Sequence, residues 1–194
     1  FFTLLGLDPA KGEQVIAKIT RDTLQRNRWL LRRAGLPERA PAGGFADDAT
    51  QLISSEMYRQ IALKWHRYWC DETDKAAGKP LARSCHMCGD ATRHFKMIRD
   101  EIGVGNFDTG FPVDHGWLRR ELGPEVIISG GPHIELLLNG TPDACYREAQ
   151  RILQSGIRDG GKFILQEGNN LPPRVPLANL SAVYQACLDC GNFT

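Results

Sequence analysis

The stretch from residue 106 to residue 131 reads NFDTGFPVDHGWLRRELGPEVIISGG and decides the fold class. Residues 106–110 and 125–131 are strand-like, and residues 114–122 between them have the spacing of a helix. A helical crossover is the connection that parallel strands need, whereas antiparallel strands can be joined by a tight turn. The stretch therefore predicts a parallel sheet with helices packed against it.

The same alternation runs through most of the chain. Further strands are predicted at 44–48, 83–89 and 162–167, and each of the five strands is followed by a helix, at 54–69, 92–101, 114–122, 142–153 and 177–190. A longer helix precedes the first strand, with Asp8 as its N-cap, Pro9 in its first turn and Gly35 at its end. Residues 71–79 are polar and are predicted to form a loop.

The composition is that of an ordinary soluble globular protein. The 194 residues are 42% hydrophobic, which predicts a core, and 24 Lys and Arg balance 23 Asp and Glu, so that no basic field suggests a nucleic-acid or anionic-membrane partner. No apolar run could span a membrane, and the N-terminal residues lack the features of a signal peptide, which predicts a cytoplasmic protein with reduced thiols. A complete eightfold barrel usually takes about 250 residues, more than this chain has.

Polar side chains gather where the predicted strands end. In parallel α/β folds the active site lies at the carboxyl ends of the strands, so these side chains are expected to converge on one face. The alternative is that such residues only cap helices and form turns. The candidates are Asp47, Asp48, His86, Cys88, Asp108, His133, Glu167 and Asn169.

His86-Met87-Cys88 is the most informative triplet among them. Side chains two apart on a strand point to the same face, so an imidazole nitrogen and a thiolate could reach one ion, and mixed nitrogen and sulfur ligation suits Zn²⁺. A third ligand would have to come from another strand end. The alternative is a buried cysteine beside a hydrogen-bonded histidine.

A rival metal grouping pairs Cys85-x-x-Cys88 with Cys187-x-x-Cys190. Two such pairs are typical of a tetrahedral structural zinc site, but the usual gap between them is about 15 to 20 residues and here it is far longer. Cys187 and Cys190 have helical spacing and are predicted to be packing residues.

Asp47 and Asp48 are a candidate carboxylate pair for acid and base catalysis or for anchoring a substrate. Adjacent residues on a strand point in opposite directions, which weakens the idea of a working pair, and one of the two could instead cap or orient a neighbour. The segment Gly130-Gly131-Pro132-His133 has no dinucleotide-binding or phosphate-loop spacing, so nucleotide binding is not supported.

Several segments, in order along the chain, resemble the uroporphyrinogen decarboxylase superfamily. They are 44–48 with 53–58, His86-Met87-Cys88-Gly89-Asp90, Phe107-Asp108-Thr109-Gly110, Gly130-Gly131-Pro132 with 136–142 (LLLNGTP), and 164–170 followed by 176–180 (PLANL). The resemblance covers nearly the whole chain. It implies a (β/α)₈ barrel of the TIM type, of which residues 1–194 form one domain corresponding to about the last five βα units.

The two branches of the superfamily differ in what they require. The decarboxylase branch uses arginines near the start of its chain and a histidine in a Gly-His-Gly turn after the last strand. Here that turn reads Gly168-Asn169-Asn170, and the arginine segment is absent. The methyltransferase branch binds zinc through a His-x-Cys-Gly motif, matched by His86 and Cys88, and through a cysteine at the position of Asn169. The resemblance thus implies a carboxylate as third ligand, such as Glu167, Asp48 or Asp108, or else a water.

The resemblance favours a metal-dependent enzyme that transfers methyl groups, with zinc as the metal and a thiol or a corrinoid carried by a partner protein. In this interpretation His86, Cys88 and Glu167 bind the metal. Asp47, Asp48 and Asp108 are the catalytic residues that shape the pocket, and His133 and Asn169 contact a small-molecule substrate.

Two other interpretations remain at this stage. One is decarboxylation of a tetrapyrrole, the porphyrin-related substrate of the other branch. The other is a non-catalytic partial barrel, whose unpaired strand edges recruit a partner, so that the chain forms a homo-oligomer or is completed by another chain segment.

Overall fold

A computed structural model describes residues 1–38 and 43–192, and alternating strands and helices run through them. Two helices, α1 (Phe2–Leu7) and α2 (Pro9–Arg33), come before the first strand. The strands are β1 (Gly43–Ala46), β2 (Arg83–Met87), β3 (Asn106–Thr109), β4 (Ile127–Gly130) and β5 (Phe163–Leu165). The later helices are α3 (Ser55–Met57), α4 (Leu63–Ala77), α5 (Thr92–Ile102), α6 (His115–Leu122), α7 (Ile134–Asn139), α8 (Pro142–Leu153) and α9 (Leu177–Cys190), with a π-helical turn, Tyr58–Ala62, between α3 and α4.

The five strands form one parallel sheet in the order β1-β2-β3-β4-β5. Each crossover therefore moves one strand further in the same direction, which is the winding of a (β/α)₈ barrel. The predicted α/β fold with five βα units is confirmed. Helices cover one face of the sheet, and a continuous apolar core lies between them, including Tyr58, Phe95, Phe107, Ile128 and Ile152.

Side-chain caps begin several of these helices where the sequence predicts. Asp8 accepts a hydrogen bond from the Lys11 N–H at the start of α2, Asp114 caps α6, and Thr141 caps α8 with Pro142 in its first turn. These caps satisfy backbone N–H groups that have no partner within the helix. The Asp8 cap and the helix starts predicted at residues 114 and 142 are therefore confirmed to within one residue.

The prediction of a loop over residues 71–79 is wrong. Helix α4 continues to Ala77 and ends at Gly78, which has a left-handed φ of 68°. Cys70 and Thr73 are buried on one face of this segment, and Glu72 and Asp74 on other faces bind Arg28 and Arg83. The acidic residues thus lie outside the buried side of the helix. That buried side is narrow and carries the small side chains of Cys70 and Thr73.

The other face of the sheet, called here the inner face, carries small and polar side chains near the β1 edge. The register places Gly44, Ser84 and Asn106 side by side on β1, β2 and β3. The next row of this face is formed by Ala46, His86 and Asp108. Within the described ranges, β1 and β5 each pair on one side alone. Among the described residues, no helix is long and apolar enough to cross a membrane.

Candidate functional site

The side chains of strand β2 separate the protein core from the inner face. Cys85 and Met87 are buried among the helices, whereas His86 and the following Cys88 come together on the opposite side. His86 Nε2 lies 3.1 Å from Cys88 Sγ. This is the result expected from the two-residue period of a strand.

Asp48 joins this pair from the end of the neighbouring strand β1. Its Oδ1 accepts a hydrogen bond of 2.7 Å from the Cys88 N–H and lies 3.8 Å from His86 Nε2. One oxygen, one nitrogen and one sulfur of Asp48, His86 and Cys88 all lie within 4.8 Å of one another. These three side chains are called the donor group below.

The donor group fits a zinc ion by its chemistry. Catalytic zinc is held by three protein ligands drawn from Cys, His and carboxylate, and its fourth position is left to water or substrate. Asp48 is exposed and His86 is half-exposed, so a small molecule can reach the group from solvent. Within the described parts of the chain, no other set of three His, Cys, Asp or Glu residues has this geometry.

A second layer of polar side chains orients His86. Its Nδ1 is 2.7 Å from Asp108 Oδ2, and Asp108 Oδ1 accepts a hydrogen bond of 2.7 Å from Gln166 Nε2. A carboxylate on Nδ1 favours the tautomer whose Nε2 is free to bind a metal. Asp108 and Gln166 therefore link the ends of β3 and β5 to the donor group on β1 and β2.

The Cys88 thiol is protonated near neutral pH in this environment. Burial, together with the nearby Asp48 and Asp108 carboxylates, raises the pKa of Cys88 to about 11. A thiol must lose its proton to bind a metal. A cation at the donor group would thus supply the positive charge that favours the thiolate form of Cys88.

Asp47 points away from the donor group and belongs to a separate network. Its carboxylate accepts a hydrogen bond from the Ala49 N–H and lies 3.2 Å from His66 Nε2, while His66 Nδ1 is 2.9 Å from the Tyr58 hydroxyl. Asp47 and Asp48 therefore do not form the adjacent working pair that was considered from the sequence. Asp47 caps a turn and orients His66.

The remaining candidates lie at the ends of β4 and β5, outside the donor group. His133 is exposed, accepts a hydrogen bond from the Glu135 N–H at the start of α7, and packs on Phe111. Glu167 lines a cleft of about 220 Å³ against α9, and Asn169 lies in the turn after β5. The geometry therefore favours Asp48 over Glu167 as the third donor, and the thiols of Cys187 and Cys190 are not in the group either.

A family model described as uroporphyrinogen decarboxylase (URO-D) matches residues 6–189. The chain belongs to the uroporphyrinogen decarboxylase family. Its fold is also similar to that of a solved structure, a methyltransferase from Methanosarcina mazei, with a TM-score of 0.58 and 20% sequence identity. The match covers 77% of this chain and 42% of the other, so the chain spans less than half the length of that structure. No curated protein matches the sequence significantly.

In this member of the uroporphyrinogen decarboxylase family, sequence reasoning missed three residues of the polar networks, Gln166, His66 and Tyr58. Gln166 precedes the predicted ligand Glu167 by one position, and its hydrogen bond to Asp108 joins the ends of β5 and β3, which are not neighbours in the sheet. His66 lies within a helix, where a single histidine gives no signal. Its contact with Asp47 depends on how α4 packs against β1.

Proposed function

We propose that this chain carries the metal centre of a zinc-dependent methyltransferase of the uroporphyrinogen decarboxylase family. The observation that supports the proposal is the donor group, in which oxygen, nitrogen and sulfur ligand atoms lie within 4.8 Å of one another at the carboxyl ends of β1 and β2. Asp48, His86 and Cys88 would hold the ion. The methyl group would pass between a small molecule and a corrinoid on a partner protein, or a thiol.

Zinc bound there would stabilise a substrate thiolate or act as a Lewis acid on an ether oxygen. The protein side chains perform the supporting steps. Asp108 keeps the His86 ring oriented through Nδ1, and Gln166 holds Asp108 in turn. Because Asp48 is a harder donor than the thiolate it replaces, the centre leans towards the Lewis-acid role.

The other predicted site residues have more distant roles in this proposal. His133 and Asn169 lie on loops at the same carboxyl edge of the sheet and are proposed to contact the substrate. Asp47 acts on His66 as a positioning residue. Glu167 remains a substitute ligand only if its loop moves, since it lies against α9.

Decarboxylation of a tetrapyrrole is the weaker alternative. Its substrate carries several carboxylates, whereas the described part of the inner face presents Asp48 and Asp108 around His86. The negative charges of Asp48 and Asp108 would repel the carboxylates of such a substrate and oppose its binding. A metal requirement also separates the two reactions, because the methyltransferase proposal needs an ion at the donor group.

We further propose that the barrel is completed by other polypeptide, either the rest of a longer protein or a second chain. Five βα units leave β1 and β5 each with one unpaired side within the described residues. Such edges bind further strands unless they are covered. The substrates and partners of the whole protein belong to that completed form.

Metal analysis of the purified chain tests the proposed centre. We expect about one zinc per chain, and loss of that zinc in the double variant His86→Ala/Cys88→Ala. The matched control is Asp143→Ala/Cys190→Ala, which removes a carboxylate and a thiol far from the donor group and should retain zinc. Zinc content that is equal in both double variants, or full activity in metal-free protein, would contradict the proposal.

A further inference from the structure

An open cavity of about 520 Å³ extends along the inner face of the sheet beside the donor group and around the β1 edge, where Phe45 and Trp69 also line it. His86 and Asp108 form its upper wall, and Gly44, Ser84 and Asn106 form the part called here the recess. The proposed metal centre uses none of the three recess residues. The recess therefore needs a separate explanation.

The strand register fixes the distance between the recess and the metal centre. Ser84 and Asn106 are paired across β2 and β3, and each lies two residues before His86 and Asp108 on the same face. Two residues of a strand span about 7 Å. A chain of about six heavy atoms can thus reach from the donor group into the recess.

The recess is lined by small and polar residues. Barrel interiors of this type are normally filled by bulky branched side chains, but this row has Gly44, Ser84 and Asn106. A Cβ on Gly44 would lie 2.5 Å from Ser84 Oγ, so the Ser84 hydroxyl occupies the space that a side chain at this position would need. The hydroxyl of Ser84 and the carboxamide of Asn106 are half-buried polar groups facing this space.

The charge around the recess selects the kind of ligand. None of the described residues that line the cavity is Lys or Arg, and Asp108 lies directly above the recess. An anionic group would be repelled there, whereas a neutral group would find one hydroxyl and one carboxamide with which to exchange hydrogen bonds.

We propose that the recess binds the neutral hydrogen-bonding end, a hydroxyl or an amide, of the small-molecule substrate whose reacting atom lies at the donor group. The inference rests on the proposed metal centre. Ser84 and Asn106 are specificity-determining residues in this scheme, and Gly44 leaves room for the Ser84 hydroxyl beside it.

Cobalt-substituted protein and three thiols of similar length test the recess. Co²⁺ alone is titrated first, and its visible absorption reports the donor group. The probes are then 4-mercaptobutan-1-ol, pentane-1-thiol and 4-mercaptobutanoate, and thiolate-to-cobalt absorption measures the Kd of each. We expect Asn106→Leu and Ser84→Ala to lower the preference for the hydroxyl thiol over the alkane thiol about tenfold, the equivalent of one good hydrogen bond. The carboxylate thiol should bind more weakly than the hydroxyl thiol.

The control is Asn139→Leu, which removes an exposed amide on α7 and should leave all three Kd values unchanged. If wild type and Asn106→Leu both bind cobalt and show the same preference among the probes, the recess proposal is wrong. The proposed metal centre is not affected by that result. Failure of wild type to bind cobalt overturns both.

A gain of function keeps the test decisive if Asn106→Leu does not fold. Asn106→Asp places a carboxylate in the recess and should bind 4-aminobutane-1-thiol about tenfold more tightly than wild type does. An unchanged Kd for this amine would overturn the recess as well.

Discussion

At the residue scale, Asp108 is the side chain through which His86 is oriented. Replacing it with alanine leaves the three donors in place but removes the 2.7 Å contact to His86 Nδ1. Loss of such a partner typically weakens metal binding 10- to 100-fold. We expect this decrease for Asp108→Ala in a competition titration with a chromophoric chelator.

The Gln166→Leu variant should show a smaller decrease, since Asp108 then loses one of its two contacts. Asp143→Ala, on the exposed surface of α8, is the matched control. Equal zinc affinity in Asp108→Ala and the control would show that His86 needs no partner.

His115 predicts a pH dependence of stability. It is buried at the start of α6, neither ring nitrogen has a hydrogen-bond partner in the described part of the chain, and burial lowers its pKa from 6.5 to about 4. The unfolded chain therefore takes up a proton more readily, and the stabilising contribution, complete above pH 6.5, is lost as the pH falls towards 4. We expect this residue to contribute up to about 1.4 kcal/mol per pH unit to the slope.

Urea unfolding between pH 7.5 and pH 4.5 measures this slope. His115→Leu should unfold with about one proton less taken up per molecule. Slope that persists comes from His94, whose pKa burial also lowers, and from the Glu72 and Asp74 carboxyls, whose pKa is lowered by hydrogen bonds from basic side chains. A His115→Leu slope identical to that of wild type would contradict the assignment.

The strand period was enough to predict that His86 and Cys88 meet, and the 3.1 Å contact confirms that geometry. The strand period could not show whether Asp47 or Asp48 joins His86 and Cys88. The strand ends at Ala46, and the orientation of the next two residues depends on the turn that follows. The metal role of these residues stays a prediction.

At the scale of elements, the ends of β4 and β5 touch at Gly131. A Cβ there would lie 1.7 Å from the carbonyl oxygen of Gln166. Gly131→Ala must push the two strand ends apart, so we expect a loss of about 2 kcal/mol or more in the free energy of unfolding. Zinc affinity should fall with it, because Gln166 supports Asp108.

Gly105→Ala is the control for this variant, because nothing lies within 4 Å of a Cβ at that position. Its stability should change by less than about 1 kcal/mol. Urea unfolding measures both variants, and equal values for the two would argue against close packing at the strand ends.

Helix starts could be predicted from their caps, but the extent of α4 could not. The segment from residue 71 to residue 77 has three acidic residues and no large apolar one, and its Glu72 and Asp74 pair with Arg28 and Arg83, which lie outside the helix. The short helices α1 and α7 were not predicted either. Elements held by distant partners leave little local signal.

At the scale of the whole molecule, the open edges predict self-association of the isolated chain. Ile164 lies on β5 with about half of its side chain exposed, and its neighbours Phe163 and Leu165 pack against the core. A charge on an edge strand opposes pairing with another chain. We expect Ile164→Lys to lower the association constant measured by sedimentation velocity.

Leu52→Lys is the control, because Leu52 is similarly exposed but lies outside the sheet. Equal association of the two variants would place the contact elsewhere.

The family motifs made the barrel predictable from 194 residues, yet the units that would cover β1 and β5 have no counterpart in this sequence, and the complete cavity could not be predicted for that reason.

The alternation along β2 also limits how this protein can evolve. Met87, between His86 and Cys88, is buried and accepts a hydrogen bond from the Thr50 hydroxyl. Inserting or deleting one residue in the strand would move the methionine to the inner face and the histidine into the core. New members of the lineage can therefore change the chemistry here by substitution, whereas changes of length are confined to the loops on either side.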